Sequence, residues 1–233
     1  MKNLLTYFII PTFAVAGTAF ADLPPTAEQQ KALTPASVLQ DLMAGNKRFM
    51  EGKTTAPNIT ERIAATSTGQ FPKAYILSCV DSRVPVELVF DQGIGDIFVG
   101  RVAGNVESVD QLGSAEFATK VAGAKVLMVL GHEACGAVKG ACDGAELGNL
   151  TALLDQIEPA VKAVEGFEDD QKNSKNKEFV EAVIEKNVKL TVADVRKNSP
   201  VLAELEKAGD IKIVGALYSL QDGSVTILET PAN

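Results

Sequence analysis

Short apolar runs, each closed by polar or glycine-containing turns, set the frame of this chain. Ala74-Tyr75-Ile76-Leu77 lies between Pro72 and the polar Asp81-Ser82-Arg83, and Ile97-Phe98-Val99 follows it. Val126-Leu127-Met128-Val129-Leu130 is apolar at every position, as a strand is when both faces of its sheet are covered. Ile211 to Leu217 supplies a fourth run. Val225-Thr226-Ile227-Leu228 comes just after the turn signal Asp222-Gly223, so a terminal hairpin is expected.

Between these runs the spacing becomes helical. From Ser37 to Phe49, the positions Val38, Leu39, Leu42, Met43 and Phe49 suit one apolar face, and Glu51-Gly52 ends it. Thr60 to Thr68 adds a short helix. Ser114 to Val121 follows the second run, and Leu150 to Val164 comes after the third. Phe179 to Val195 places Val180, Ile184, Val188 and Val192 four apart, along one helix face. Asp22 to Pro35 reads as a loose polar arm, and Glu168 to Lys177 as a solvated, charge-rich connection. Strands alternating with helices predict an α/β domain. Its mainly parallel central sheet has about four strands plus a C-terminal antiparallel strand, flanked by helices. Residues 22–233 form this single domain, with an N-terminal helical arm and no internal repeat.

Residues 1–21 stand apart. Met1-Lys2-Asn3 is a short basic start, Leu4 to Val15 is mostly apolar, and Ala19-Phe20-Ala21 is an A-x-A cleavage pattern before Asp22. This is the pattern of a bacterial secretory signal peptide, cleaved after Ala21, and it predicts a periplasmic protein. A membrane anchor is the rival reading, but the run is short and Pro11 interrupts it. No later stretch is long enough to span a bilayer. The chain carries 22 basic and 30 acidic residues, a net charge of −8. Loss of Lys2 with the leader makes the balance still more acidic. Such a surface argues against nucleic acid and anionic membranes as partners and leaves a small neutral substrate open.

The chemistry sits where the first and third runs end. Cys79-Val80-Asp81-Ser82-Arg83 follows the first, and His132-Glu133-Ala134-Cys135 follows the third after Gly131. Sites on open α/β sheets gather at the carboxyl ends of strands, so both stretches should emerge on one edge. His132 is the only histidine, and Cys79 and Cys135 are two of three cysteines. Two thiolates and an imidazole form a zinc set that leaves the fourth position for water or substrate, the habit of catalytic zinc. Gly131 and Gly136 would let the backbone come close to an ion. The competing reading is a Cys79–Cys135 or Cys135–Cys142 disulfide in an oxidising compartment. It leaves His132 and the Asp-Ser-Arg run without a purpose. In the zinc reading Cys142 is left over, a small buried side chain.

Charge counting brings in two more residues. Two thiolates cancel the charge of Zn2+, so bound water should be less acidic than the value of about 7 reached with three histidines. Asp81 can accept a hydrogen bond from the remaining proton of a zinc-bound hydroxide, and Arg83 can hold Asp81 ionised through a bidentate pair. Asp81 can also take the fourth metal position and close the site. A plain structural salt bridge is the third option.

Three blocks now carry a family resemblance: Cys79-Val80-Asp81-Ser82-Arg83-Val84-Pro85, the stretch from Gly95 to Asn105, and the stretch from Gly131 to Val138. Together they resemble the β-class carbonic anhydrases, over a span from about Val38 to Leu228. The resemblance implies an enzyme that interconverts CO2 and bicarbonate. Cys79, His132 and Cys135 would hold one Zn2+ per subunit, and Asp81 and Arg83 would form a dyad. It also implies a homodimer, or a dimer of dimers, with active sites at the subunit boundary. Substrate contacts are implied for Gln70, nine residues before Cys79, for Phe98, which matches an aromatic of the narrow CO2 pocket, and for Gly136. Two departures stand out. Phe117 lies where many relatives have tyrosine. Ile76 replaces the tryptophan of bicarbonate-regulated members, although Arg101 matches another part of that regulatory site.

The expected activity is zinc-dependent, reversible hydration of CO2 to bicarbonate and a proton, a lyase reaction. Hydrolysis of carbonyl sulfide or carbon disulfide is the nearest alternative, since these linear molecules fit the same pocket. A non-catalytic zinc-binding protein, with Asp81 fixed on the metal, is the alternative from another class, and a thiol-redox protein a weaker one. With its single histidine on zinc, the chain has no imidazole left to carry protons away.

Overall fold

The apolar runs pair into one sheet in the computed structural model, which describes residues 23–55 and 58–230. The leader pattern of 1–21 lies outside the described residues. The strands are β1 (Ala74–Ser78), β2 (Ile97–Arg101), β3 (Val126–His132), β4 (Lys212–Tyr218) and β5 (Val225–Leu228), in the order β2-β1-β3-β4-β5. The first four run parallel, and β5 returns antiparallel to β4. This is the expected α/β sheet. Strand β3 runs further than its apolar core suggests, ending on His132 itself.

Alternation within β1 and β3 divides the core between two faces. Ala74, Ile76, Met128, Leu130 and Val214 pack on one side against Val38 and Leu42 of helix α2 (Pro35–Met50) and against Val86 and Val89 of helix α4 (Val86–Val89). Tyr75, Leu77, Leu127, Val129 and Ile213 pack on the other against Val188 and Val192 of helix α9 (Lys177–Asn198). Both faces are covered, so the central strands can be apolar throughout.

The helices in chain order are α1 (Ala27–Ala32), α2 (Pro35–Met50), α3 (Ile59–Thr66), α4 (Val86–Val89), α5 (Val109–Glu116), α6 (Gly136–Cys142), α7 (Gly148–Leu154), α8 (Glu158–Ala163), α9 (Lys177–Asn198) and α10 (Pro200–Lys207). Among the described residues, no helix is long and apolar enough to cross a membrane.

Several elements depart from the sequence expectations. The arm is not loose throughout: Thr26 and Gln29 form a capping box that starts α1, and buried Gln30 donates from Nε2 to the carbonyls of Pro72 and Ala122 at 2.7 Å each. The helix expected over 114–121 begins earlier, because the Ser108 side chain caps the Gln111 amide, and it passes into a π-helical turn at Phe117–Val121. The single helix expected over 150–164 is broken into α7 and α8. Pro159 is the reason, since it has no N–H to donate back to Asp155. Helix α10 went unanticipated, although Ser199-Pro200 is a cap followed by proline in the first turn.

Helix α9 sets the depth of the site. Its row Val180, Ile184, Val188, Val192 and Val195 is buried, each side chain contributing about 1.5–3 kcal/mol. Val188 fits against the sheet where two neighbouring strands carry glycine. A Cβ on Gly131 would lie 2.5 Å from Val188 Cγ2, and one on Gly215 would lie 2.8 Å from Val188 Cγ1. Gly131 therefore makes room for α9, not for an ion. Gly131→Ala is expected to cost about 1–3 kcal/mol by overpacking. A denaturant midpoint equal to wild type would show that Val188 yields freely.

Candidate metal centre

Parallel pairing of β1 with β3 sets Ser78 level with Leu130. The chain beyond each strand therefore leaves at the same edge, bringing Cys79 and His132 together. Cys135 returns to them through a tight turn in which Ala134 takes a positive φ of 50°. Cys135 then stands at the N-cap of α6, just outside its first turn. Cys79, His132 and Cys135 are all buried, with ligand atoms within 4.8 Å of one another.

The donor set fits zinc. The two sulfurs are 4.0 Å apart, and thiolates at about 2.3 Å from a tetrahedral ion stand about 3.8 Å apart. His132 Nδ1 lies 2.8 Å from the Glu133 carbonyl. Its N–H donates there, so the Nε2 lone pair is left for a ligand. Nε2 is fully buried and has no hydrogen-bond partner among the described residues, which is costly unless a cation takes it.

Electrostatics point the same way. Hydrogen bonding from Cys135 pulls Cys79 down to about 4, against the cost of burial. Donation to Cys79, burial and the Cys79 charge push Cys135 well above the ordinary thiol range. Two sulfurs this close share one proton until a cation permits both thiolates. No disulfide joins them, and Cys142 is also free, its thiol pushed up to about 11 by burial.

Asp81 is held beside this cluster by Arg83. Its Oδ1 accepts from Arg83 N and Nε at 2.9 Å each, and its Oδ2 accepts from Nη2 at 2.7 Å. The same Oδ2 is 3.8 Å from His132 Nε2. Arg83 therefore keeps Asp81 at the cluster but outside the Cys-His-Cys group. The Arg83 guanidinium holds the Asp81 carboxyl well below the usual carboxylate range. A lowered folded-state value means that the pair's stabilisation is present above the ordinary carboxylate pKa and fades only as pH falls through the folded one. Asp81 is thus ionised at neutral and mildly acidic pH.

The other expected site residues separate. Gly136 directly follows Cys135 and is exposed, and a Cβ there would meet nothing within 4 Å. Its glycine is not required by crowding within the chain. Phe98 is level with Tyr75, set back from the carboxyl edge of the sheet, and lines a cleft of about 810 Å3 along edge strand β2 with Tyr75, Arg101, Gln111 and Phe117. Phe98 and Phe117 meet edge to face at 6.0 Å. Gln70 is exposed in a groove between the arm and α3. It precedes the amino end of β1, whereas Cys79 follows the carboxyl end. With about 3.3 Å of rise per residue, the two lie on opposite edges of the sheet.

Residues that the sequence reading passed over complete the surroundings. The Gly104 amide donates to Cys79 Sγ at 3.4 Å, and Asn187 Nδ2 holds the Gly104 carbonyl at 2.8 Å. Gly104 has φ 72° and Ile157 Cδ1 only 2.6 Å from where a Cβ would be, so a side chain there would be strained and would have to displace Ile157. Asn187 had a legible signal: it is a polar residue on the apolar stripe of α9. The Glu133 carboxylate accepts from the Leu220 amide at 3.0 Å, tying the His132 segment to the loop after β4.

With this geometry in place, comparison with known proteins is informative. The family model described as carbonic anhydrase matches residues 74–225. Carbonic anhydrase 2 of Mycobacterium tuberculosis is 34% identical over 205 residues, covering 85% of this chain and 95% of its own. The carbonic anhydrase of Mycolicibacterium smegmatis is 34% identical over 83% of this chain and 93% of its own. A β-carbonic anhydrase of Aspergillus fumigatus superposes with a TM-score of 0.62 at 23% identity, over 84% of this chain and 90% of its own. One of two tetrameric β-carbonic anhydrases of Sordaria macrospora also gives 0.62, at 24% identity, over 83% and 94%. The chain belongs to the carbonic anhydrase family, and its fold is that of the β class.

The shared proton of the two cysteines gives a direct test. At neutral pH, zinc uptake by the metal-free protein is expected to release about one proton, from Cys135. Calorimetric titration in buffers of different ionisation enthalpy measures it. Release of none would contradict a thiolate ligand at Cys135, and a second proton that persists at mildly acidic pH, where metal-bound water stays neutral, would mean that Cys79 is not already ionised.

Proposed function

We propose that this protein is a zinc-dependent carbonic anhydrase that interconverts CO2 with bicarbonate and a proton. The observation that carries the reading is the buried Cys79–His132–Cys135 group, with the His132 Nε2 lone pair unpartnered and the Asp81–Arg83 pair 3.8 Å away. Those three residues would hold one zinc per subunit. When bound, zinc supplies Lewis acidity that makes water a nucleophile at neutral pH. Asp81, kept ionised by Arg83, accepts a hydrogen bond from that nucleophile and orients it toward CO2. Arg83 keeps Asp81 from joining the ligands. Buried His132, donating from Nδ1, is committed to the centre, so the product proton must leave through water or buffer.

The substrate contacts of the reading require a second copy of the chain. Gln70 and Phe98 cannot meet their own cluster, one being on the opposite sheet edge and the other in the edge cleft. Both belong to the reading if a partner's cluster faces them across a homodimer or a dimer of dimers. Edge strand β2 and its apolar neighbours support this arrangement, since Val109 is 85% and Phe117 51% exposed. The Sordaria relatives are themselves tetrameric. The 1–21 pattern supports export, with cleavage after Ala21 and a periplasmic location.

Stopped-flow CO2 hydration measured together with zinc content tests the reading. Wild type is expected to bind one zinc and hydrate CO2 at a rate that climbs with buffer concentration, and His132→Ala is expected to lose both. Zinc-loaded protein that releases sulfide from carbonyl sulfide but leaves CO2 unchanged would replace the reading. The dimer is tested separately by sedimentation: Phe117→Glu should yield monomer with little activity. A variant that is monomeric and fully active would free the site from any partner.

A further inference from the structure

We propose that Arg101 is a positioning residue for the reaction, acting through Asp81. It is the last residue of β2, level with Ser78 in the parallel register. Its guanidinium reaches along the sheet edge to two carbonyls of the neighbouring loop. Nε donates to the Cys79 carbonyl at 2.9 Å and Nη2 to the Asp81 carbonyl at 2.5 Å. A single rigid fork thus fixes the Cys79–Val80 and Asp81–Ser82 peptides, which flank the Val80–Asp81 peptide, while Val80 itself is 56% exposed.

The clamp matters because the Asp81–Arg83 pair is local. The two residues are close in sequence, so their hydrogen bonds move with the loop and cannot by themselves set where it stands. Among the described residues, Arg101 is the side chain that ties this loop backbone to the sheet, and the Asp81 carbonyl otherwise receives the Val84 amide from the same loop. Rotation of the Val80–Asp81 peptide would swing the Asp81 carboxylate relative to His132 Nε2, only 3.8 Å away. By holding the peptides on either side of that one, Arg101 keeps Asp81 beside the centre and within reach of Arg83. The guanidinium is occupied by these carbonyls, which gives it a different task from the bicarbonate contact implied by the resemblance.

The inference rests on the carbonic anhydrase reading, and the test separates the two. Arg101→Gln, Arg101→Lys, Arg83→Ala and the double variant Arg101→Gln/Arg83→Ala are prepared as full chains, loaded with zinc for kinetics and with cobalt for visible spectra. Arg101→Gln is expected to keep its metal content while kcat falls about 10- to 100-fold, the effect of a small misplacement, with KM within about twofold of wild type. Its cobalt spectrum should shift toward that of Arg83→Ala. The double variant should be no slower than Arg83→Ala, because both changes release the same carboxylate. Arg101→Lys, which reaches one carbonyl with an ammonium, should recover part of the rate. A wild-type kcat and spectrum in Arg101→Gln overturns the proposal. So does loss of metal in step with activity, or full additivity in the double variant, because both mark a general folding role. If wild type itself hydrates no CO2, the functional reading fails, and the cobalt spectra still decide whether Arg101 positions Asp81.

Discussion

The parallel pairing of β1 with β3 is the contact on which the rest of this site depends. Parallel strands end at the same edge, so Cys79 and His132, more than fifty positions apart in the chain, emerge side by side. The pairing is held by apolar side chains on both faces of the sheet, with α2 and α4 on one side and α9 on the other. Its register leaves little freedom, because a slip of one residue would turn every side chain of the strand to the opposite face. The metal centre is therefore an outcome of core packing. Val188 of α9, seated over Gly131 and Gly215, lies in the same layer that sets where His132 ends.

Around this frame, two of the three candidate ligand side chains have a partner that prepares them for a cation. The His132 ring is oriented by its neighbour's carbonyl, the Cys79 sulfur receives the Gly104 amide, and Gly104 is held in turn by Asn187. Among the described residues, Nε2 of His132 has no hydrogen-bond partner. Burying a lone pair and a shared-proton thiol pair side by side is unfavourable without an ion. The centre is built around a charge that arrives from outside the chain.

The same frame separates the roles of the two flexible polar arms at the edge. Arg83 controls the Asp81 carboxylate directly, and Arg101 holds the backbone from which that carboxylate projects. One sets the charge and the other sets the place. Neither is deeply buried, so their influence comes from geometry more than from desolvated Coulombic strength.

Much of this was legible in the residues alone. Alternation and apolar runs marked the strands. The ligand types followed from one histidine and two cysteines at strand ends, and the charge argument drew in Asp81 and Arg83. These features are local, written in windows of a few residues. Other features depended on contacts between distant segments, which no short window contains. Gly131 proved to face Val188, Pro159 split a helix that apolar spacing alone had made continuous, and Asn187 reached back to Gly104. Phe98 stands in a block of the resemblance and Gln70 nine residues before another, yet the sheet places both away from the cluster of their own chain. The sequence by itself determined which side chains could bind a cation and which segments were strands. The tertiary structure decided which edge each residue occupies and what holds it there, because direction and distance arise only when strands choose their neighbours.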